Sequence, residues 1–195
     1  MAENKRVMTY AWLTNSGDWG SENDIEVRDK VIIYGSNKSK SIKAKGSIYI
    51  YGNNESGNLE AEGDIYIFGD NCSESIKAKG NVYIFGNNNA LDDIKANSVY
   101  VFGENTSFDI NAEEDIFIKE TSNSSDLHAD KVFLGENNES DDIAANSLVV
   151  LNGCYARNNL FVNQIIVGDD LKAKKICTDK LTVGGKILPG TTFEE

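Results

Sequence analysis

The sequence contains one proline, one histidine and three cysteines in 195 residues. A Ser/His/Asp or Cys/His catalytic set cannot be built without His128, which is read as a surface residue in a variable column. Cys72, Cys154 and Cys177 are far apart, form no C-x-x-C pair and are odd in number. That pattern gives poor support to a zinc or redox site and fits reduced thiols. No apolar run approaches the roughly 18–20 residues of a membrane span. The polar start Met1-Ala2-Glu3-Asn4-Lys5-Arg6 lacks the apolar stretch of a secretory signal. A cytoplasmic protein without a membrane span is expected. Cations are also scarce: 19 Lys and Arg stand against 31 Asp and Glu, for a net charge of −12. Such a balance argues against nucleic acid as a partner and favours solubility or a basic protein partner. No 3.6-residue period, P-loop, dinucleotide fingerprint or Ca²⁺-binding nonapeptide is present, so no cofactor is expected.

What the chain does have is a repeat. Ser41 begins SIKAKGSIYIYGNN, Asn58 begins NLEAEGDIYIFGDN, and Ser75 begins SIKAKGNVYIFGNN. Asp93 begins DIKANSVYVFGEN, and weaker copies start at Asp109, Asp126 and Asp142. The leading apolar residue falls at Ile42, Leu59, Ile76, Ile94, Ile110, Leu127, Ile143 and Leu160, at spacings of 16 to 18. Gly35, Gly52, Gly69, Gly86 and Gly103 keep a strict spacing of 17. Where the unit shortens, the missing residue falls at the Gly46/Gly63/Gly80 corner.

Each copy holds two short alternating runs, Ile-x-Ala and Ile-Tyr-Ile, flanked by Gly and Asn, which is a strand signature. A 17-residue unit cannot close a core alone, but stacked units can. The expected fold is therefore all-β: a single-stranded parallel β-helix (β-solenoid), right-handed by the usual crossover rule, with about 17 residues per coil and capped ends. The expected layout is an N-terminal cap at 1–24, a β-helix domain at 25–188 (regular coils 25–159, shortened coils 160–188) and a tail at 189–195. Trp12 and Trp19 both fall in the cap segment. Inner columns are Ile42/Leu59/Ile76/Ile94, Ala44/Ala61/Ala78/Ala96, Ile48/Ile65/Val82/Val99 and Ile50/Ile67/Ile84/Val101. On the outside, Lys43/Glu60/Lys77 and Lys45/Glu62/Lys79 alternate in sign, as an in-register stack favours. The glycine column is expected at a corner with φ > 0. Six N-x-[ST] sequons, at Asn37, Asn54, Asn71, Asn105, Asn123 and Asn138, are read as turn composition.

The candidate surface is aromatic. If Ile48 and Ile50 point inward, Tyr49, Tyr66, Tyr83, Tyr100, Phe117 and Phe133 form one outer column. Tyr34, Tyr51, Phe68, Phe85 and Phe102 form a second, unless that column turns inward at the glycine corner or the N-terminal segment covers the stripe. A bare stripe of that size marks an interface. Asp93, Asp109, Asp126 and Asp142 recur before the first strand. They suit solvated turns, a docking stripe for a basic partner, or a cation. His128 takes a solvent-side position.

The unit I-x-A-x-G-x-[IV]-x-[IV]-x-G, as in Ile42–Gly52, Leu59–Gly69 and Ile76–Gly86, resembles the coils of bactofilins. The resemblance implies a β-helix that polymerises end to end into cytoskeletal filaments without nucleotide. It is weaker on the third side, where this chain reads NNESGN and DNCSES. The function expected first is a non-enzymatic scaffold that self-associates, as filament or oligomer, through coil ends or an aromatic face. An acidic cytosolic binding module, such as a toxin-neutralising immunity protein or nucleic-acid mimic, is the second reading. A carbohydrate-binding β-helix is the third.

Overall fold

The structure, a computed structural model, describes residues 6–8, 20–22 and 24–194. Trp12, Trp19 and most of the expected cap lie outside the described residues. The rest is an all-β parallel solenoid of about ten turns, spaced about 17 residues apart. Ile42 pairs in register with Leu59, Leu59 with Ile76, and Ile76 with Ile94. Like positions in successive copies are thus spatial neighbours, and the repeat is the fold.

Each coil has three faces. The first carries the Ile-x-Ala strands, such as Ser41–Ala44 and Asn58–Ala61. The second carries the Ile-Tyr-Ile strands, such as Ile48–Ile50 and Ile65–Ile67. Along both, alternate side chains are buried, and Ile48, Ile50, Ile65, Ile67 and Ile84 have no exposed surface. Burying each such side chain contributes about 1.5–3 kcal/mol. An apolar column at each inward strand position keeps the stack in register, because a one-residue slip would turn the column outward.

The third face was read as turns, and it is core. Asn37, Asn54, Asn71, Asn88 and Asn105 point inward and are at most 1% exposed. Asn37 Nδ2 donates to Asn54 Oδ1 (2.7 Å), Asn54 to Asn71 (2.8 Å), Asn71 to Asn88 (2.8 Å) and Asn88 to Asn105 (2.7 Å). Asn carries a donor and an acceptor on one flat group, so a column of them satisfies itself along the axis. Ser39, Ser56 and Ser73, two residues on, are buried beside them. The sequons are therefore inward N-x-S pairs at Asn37, Asn54, Asn71, Asn105 and Asn138, which buries those amides; Asn123 alone of the six is exposed.

The glycine corner also differs from expectation. Gly190 is the one described glycine with a positive φ. At Gly52 the constraint is crowding between coils: a Cβ there would lie 2.7 Å from the Gly35 carbonyl carbon and from the Ser36 nitrogen. The column is glycine because backbones stack there without room for a side chain.

Past residue 105 the coils change character. Where the first corner loses its residue, the two strands fuse into one bent strand, Asp126–Leu134 and then Asp142–Val150. Cys154–Val167 runs through three faces. The third-face column continues as Ser122, Asn138, Cys154 and Leu171, so its lining turns from amide to apolar.

The two ends are unlike. Arg6–Met8 pairs in parallel with Ile25, Glu26 and Val27. At the other end the tail adds a rung: Thr192–Glu194 pairs with Lys175, Ile176 and Cys177.

Candidate interaction surface

The second face presents two aromatic ladders. Tyr49, Tyr66, Tyr83 and Tyr100 stack at 4.8–5.0 Å between ring centroids, with planes within 7°. Tyr34, Tyr51, Phe68, Phe85 and Phe102 stack at 4.7–5.1 Å. These spacings match the roughly 4.7–4.9 Å between hydrogen-bonded strands, so the backbone sets the ring separation. The second ladder does not turn inward: Tyr34, Tyr51, Phe68 and Phe85 are 41–50% exposed. The ladders join at the Phe102–Phe117 contact, tilted by 50° at 5.8 Å, and Phe117 then stacks on Phe133.

Stacking along the rod axis decides what the strip can bind. Each ring face is covered by its neighbours, so solvent meets ring edges and Tyr hydroxyls. A sugar that stacks on an aromatic plane finds a free plane only at a ladder's end, such as Tyr34. That geometry works against the carbohydrate reading.

The columns bordering the ladders are polar and acidic. Tyr66 donates its hydroxyl to Asp64 Oδ2 at 3.2 Å. Burial, and then the Asp64 charge, push the Tyr66 phenol up to about 12. Asn81 Nδ2 donates to the Tyr83 hydroxyl oxygen at 3.2 Å. On the other border Asp70 and Glu104 are exposed beside Asn53 and Asn87. Their amide nitrogens donate to Asn53 Oδ1 and Asn87 Oδ1 at 3.0 and 2.9 Å.

The acidic column is a second ladder of backbone support. Asp109 Oδ1 accepts from the Asp126 amide, Asp126 Oδ1 from the Asp142 amide (both 3.2 Å), and Asp142 Oδ1 from the Asn159 amide (2.7 Å). Asp93 instead holds Lys95 at 2.7 Å. Burial, followed by the Asp109 charge, raises the Asp126 carboxyl. Among the described residues no group of His, Cys, Asp and Glu converges as a metal site. His128 is exposed on the first face between Asn111 and Ala144. Burial pushes the Cys154 thiol up to about 12, which keeps it protonated and unreactive.

Sequence reasoning missed two surfaces. Leu91 and Phe108, 17 residues apart, are 64% and 58% exposed where the third face meets the first. Their shared offset from the repeat would have shown them as neighbours. The other is the C-terminal end. Ile187 and Phe193 continue the columns of the buried Leu171 and Ile176, yet are 45% and 54% exposed. Leu181 and Val183 pack against the core and are partly exposed. Among the described residues the outer edges of Lys180–Val183 and Thr192–Glu194 pair with nothing.

No helix of the described residues is long and apolar enough to cross a membrane. A family model described as the FapA, flagellar assembly protein A, beta solenoid domain matches residues 21–188. That match supports a β-helix family and not bactofilins specifically. No curated protein and no solved structure matches the chain.

Proposed function

Because the chain belongs to the family of flagellar assembly protein A β-solenoid domains, we propose that it is a non-enzymatic scaffold that self-associates through its C-terminal coil end. The family description ties such domains to flagellar assembly, and a rod that displays fixed faces suits an assembly role in the cytoplasm. The observation that carries the reading is Phe193, which sits in the column of the fully buried Ile176 and is 54% exposed. An inward column left uncovered beside unpaired strand edges is a template for another chain. A second copy, applied end to end about a two-fold axis, would bring the same apolar residues against themselves.

Sedimentation velocity at micromolar concentration tests this with the wild type, Ile187→Lys and Phe193→Lys. Both side chains are exposed, so the variants should keep their β circular dichroism. The wild type should populate a dimer that both variants lose. A strictly monomeric wild type across salt concentrations would remove the proposal.

A further inference from the structure

The aromatic strip lies on the flank of the rod, so end-to-end association would leave it bare. Three observations limit what can cover it. First, the ring edges repeat every 4.7–5.1 Å along the axis. An α-helix lying along that axis offers apolar side chains at alternate steps of three and four residues, a mean advance of about 5.3 Å. It would stay within about 2 Å of register over five rungs. A β-strand along the axis advances about 6.6–6.8 Å between same-face residues and is about 3.6 Å out of register by the third rung.

Second, the borders are acidic on both sides. Asp64 and Asp115 stand on one, Asp70, Glu104 and Glu120 on the other. Lys30 and Lys131 close the first border column at its two ends, Lys131 3.9 Å from Asp115, and Lys119 lies 3.9 Å from Glu120. On the rungs between, the borders hold Asp64, Asp70 and Glu104 and no Lys or Arg, so two copies laid against each other there would oppose acid with acid. An anionic lipid surface meets the same repulsion.

Third, the ring planes are covered by stacking, so the strip offers apolar edges between polar borders. That is the receiving half of helix-in-groove recognition.

We infer that the aromatic strip of the second face docks an amphipathic helix of a partner protein, parallel to the rod, with an apolar stripe flanked on both sides by Lys or Arg. Tyr51, Phe68 and Phe85 receive the stripe. Asp64, Asp70 and Glu104 receive the cations.

Fluorescence anisotropy with the full chain tests the inference. The probe is a labelled peptide of three heptads with Leu at positions a and d and Lys at e and g. One control has the same composition with the leucines dispersed; another has Glu in place of Lys. The patterned Lys peptide should bind at least about tenfold more tightly than either control. The Tyr51→Ser/Phe68→Ser/Phe85→Ser variant should lose at least about tenfold and keep its melting temperature within a few degrees. Equal binding of patterned and dispersed peptides, or equal binding by wild type and triple variant, would overturn the inference. So would tighter binding by full-length Trp12→Ser/Trp19→Ser, which would assign the strip to the chain's own N-terminus. A dimer lost in the triple variant but kept in Phe193→Lys would assign it to a second copy.

Discussion

The coils from Asn37 to Asn105 and those from Ser122 to Ile187 use one repeat to build two different cores. In the first set the third face is a column of buried amides, each donating to the next. In the second set the same column passes through Ser122 and Asn138 and then holds Cys154, Leu171 and Ile187. The first set keeps separate short strands with a glycine corner; the second fuses strands around the bend. The amide ladder is directional and self-satisfying, which ties it to one register. The apolar column needs only volume. The seam between them shows the difference: among the described buried side-chain atoms, Asn138 Oδ1 and Ser124 Oγ lack a partner. Asn105 Nδ2 donates to Ser107 Oγ at 3.2 Å and meets the next rung only through the Ser122 hydroxyl, at 3.4 Å. Serine is too short to pass the donor chain on to Asn138. The surface changes along the same axis: the aromatic ladders lie on the first set, and past the Phe117–Phe133 stack the same face carries Val149, Leu151 and Ile166.

Breaking the shared part should have the largest effect. Ile84→Asp puts a carboxylate into the centre of the stack, where an unpaired charge costs several kcal/mol. Thermal melts should find no cooperative transition, while Tyr83→Ser, on the outside of the same strand, should melt near wild type. Breaking only the amide column comes next. Asn71→Leu strands the Asn54 donor and the Asn88 acceptor, for a loss of about 2–4 kcal/mol in urea unfolding. The matching exchange at Leu171 in the apolar half, Leu171→Val, should cost only about 0.5–1.5 kcal/mol.

Repairing the seam sharpens the comparison. Ser122→Asn places an Nδ2 below Asn138 Oδ1 and an Oδ1 above Asn105. It should raise stability by about 1 kcal/mol. A loss would mean that the seam has no room for the amide. The smallest effect concerns charge. The raised Asp126 carboxyl means ionisation costs more in the folded chain than in the unfolded one. That penalty is absent below the unfolded carboxyl's pKa and fully present above the folded one. Asp126→Asn should therefore melt higher than wild type near pH 7, with the gap closing by about pH 3.

The stacking was legible because Ile42, Leu59 and Ile76 recur on a fixed period and alternate with polar residues. The aromatic ladders were legible for the same reason: Tyr49 lies between two inward isoleucines. The third face was not, because Asn and Ser ordinarily signal turns, and only stacking gives an inward Asn its partner. The signal was present in N-x-S at a spacing of 17. The corner glycines were located correctly and explained wrongly, since crowding between coils leaves no trace in a single unit. Leu91, Phe108 and Phe193 were missed because each stands where its copy of the repeat departs from the others.

The claim that the C-terminal coil accepts another chain end to end is tested most directly by measuring particle length. About ten rungs at roughly 4.8 Å make a rod of about 50 Å. Negative-stain images at micromolar concentration should contain rods of about that length and of about twice it, the longer ones vanishing on dilution and in Phe193→Lys. Rods of the single length at every concentration, or pairs lying side by side, would contradict the account.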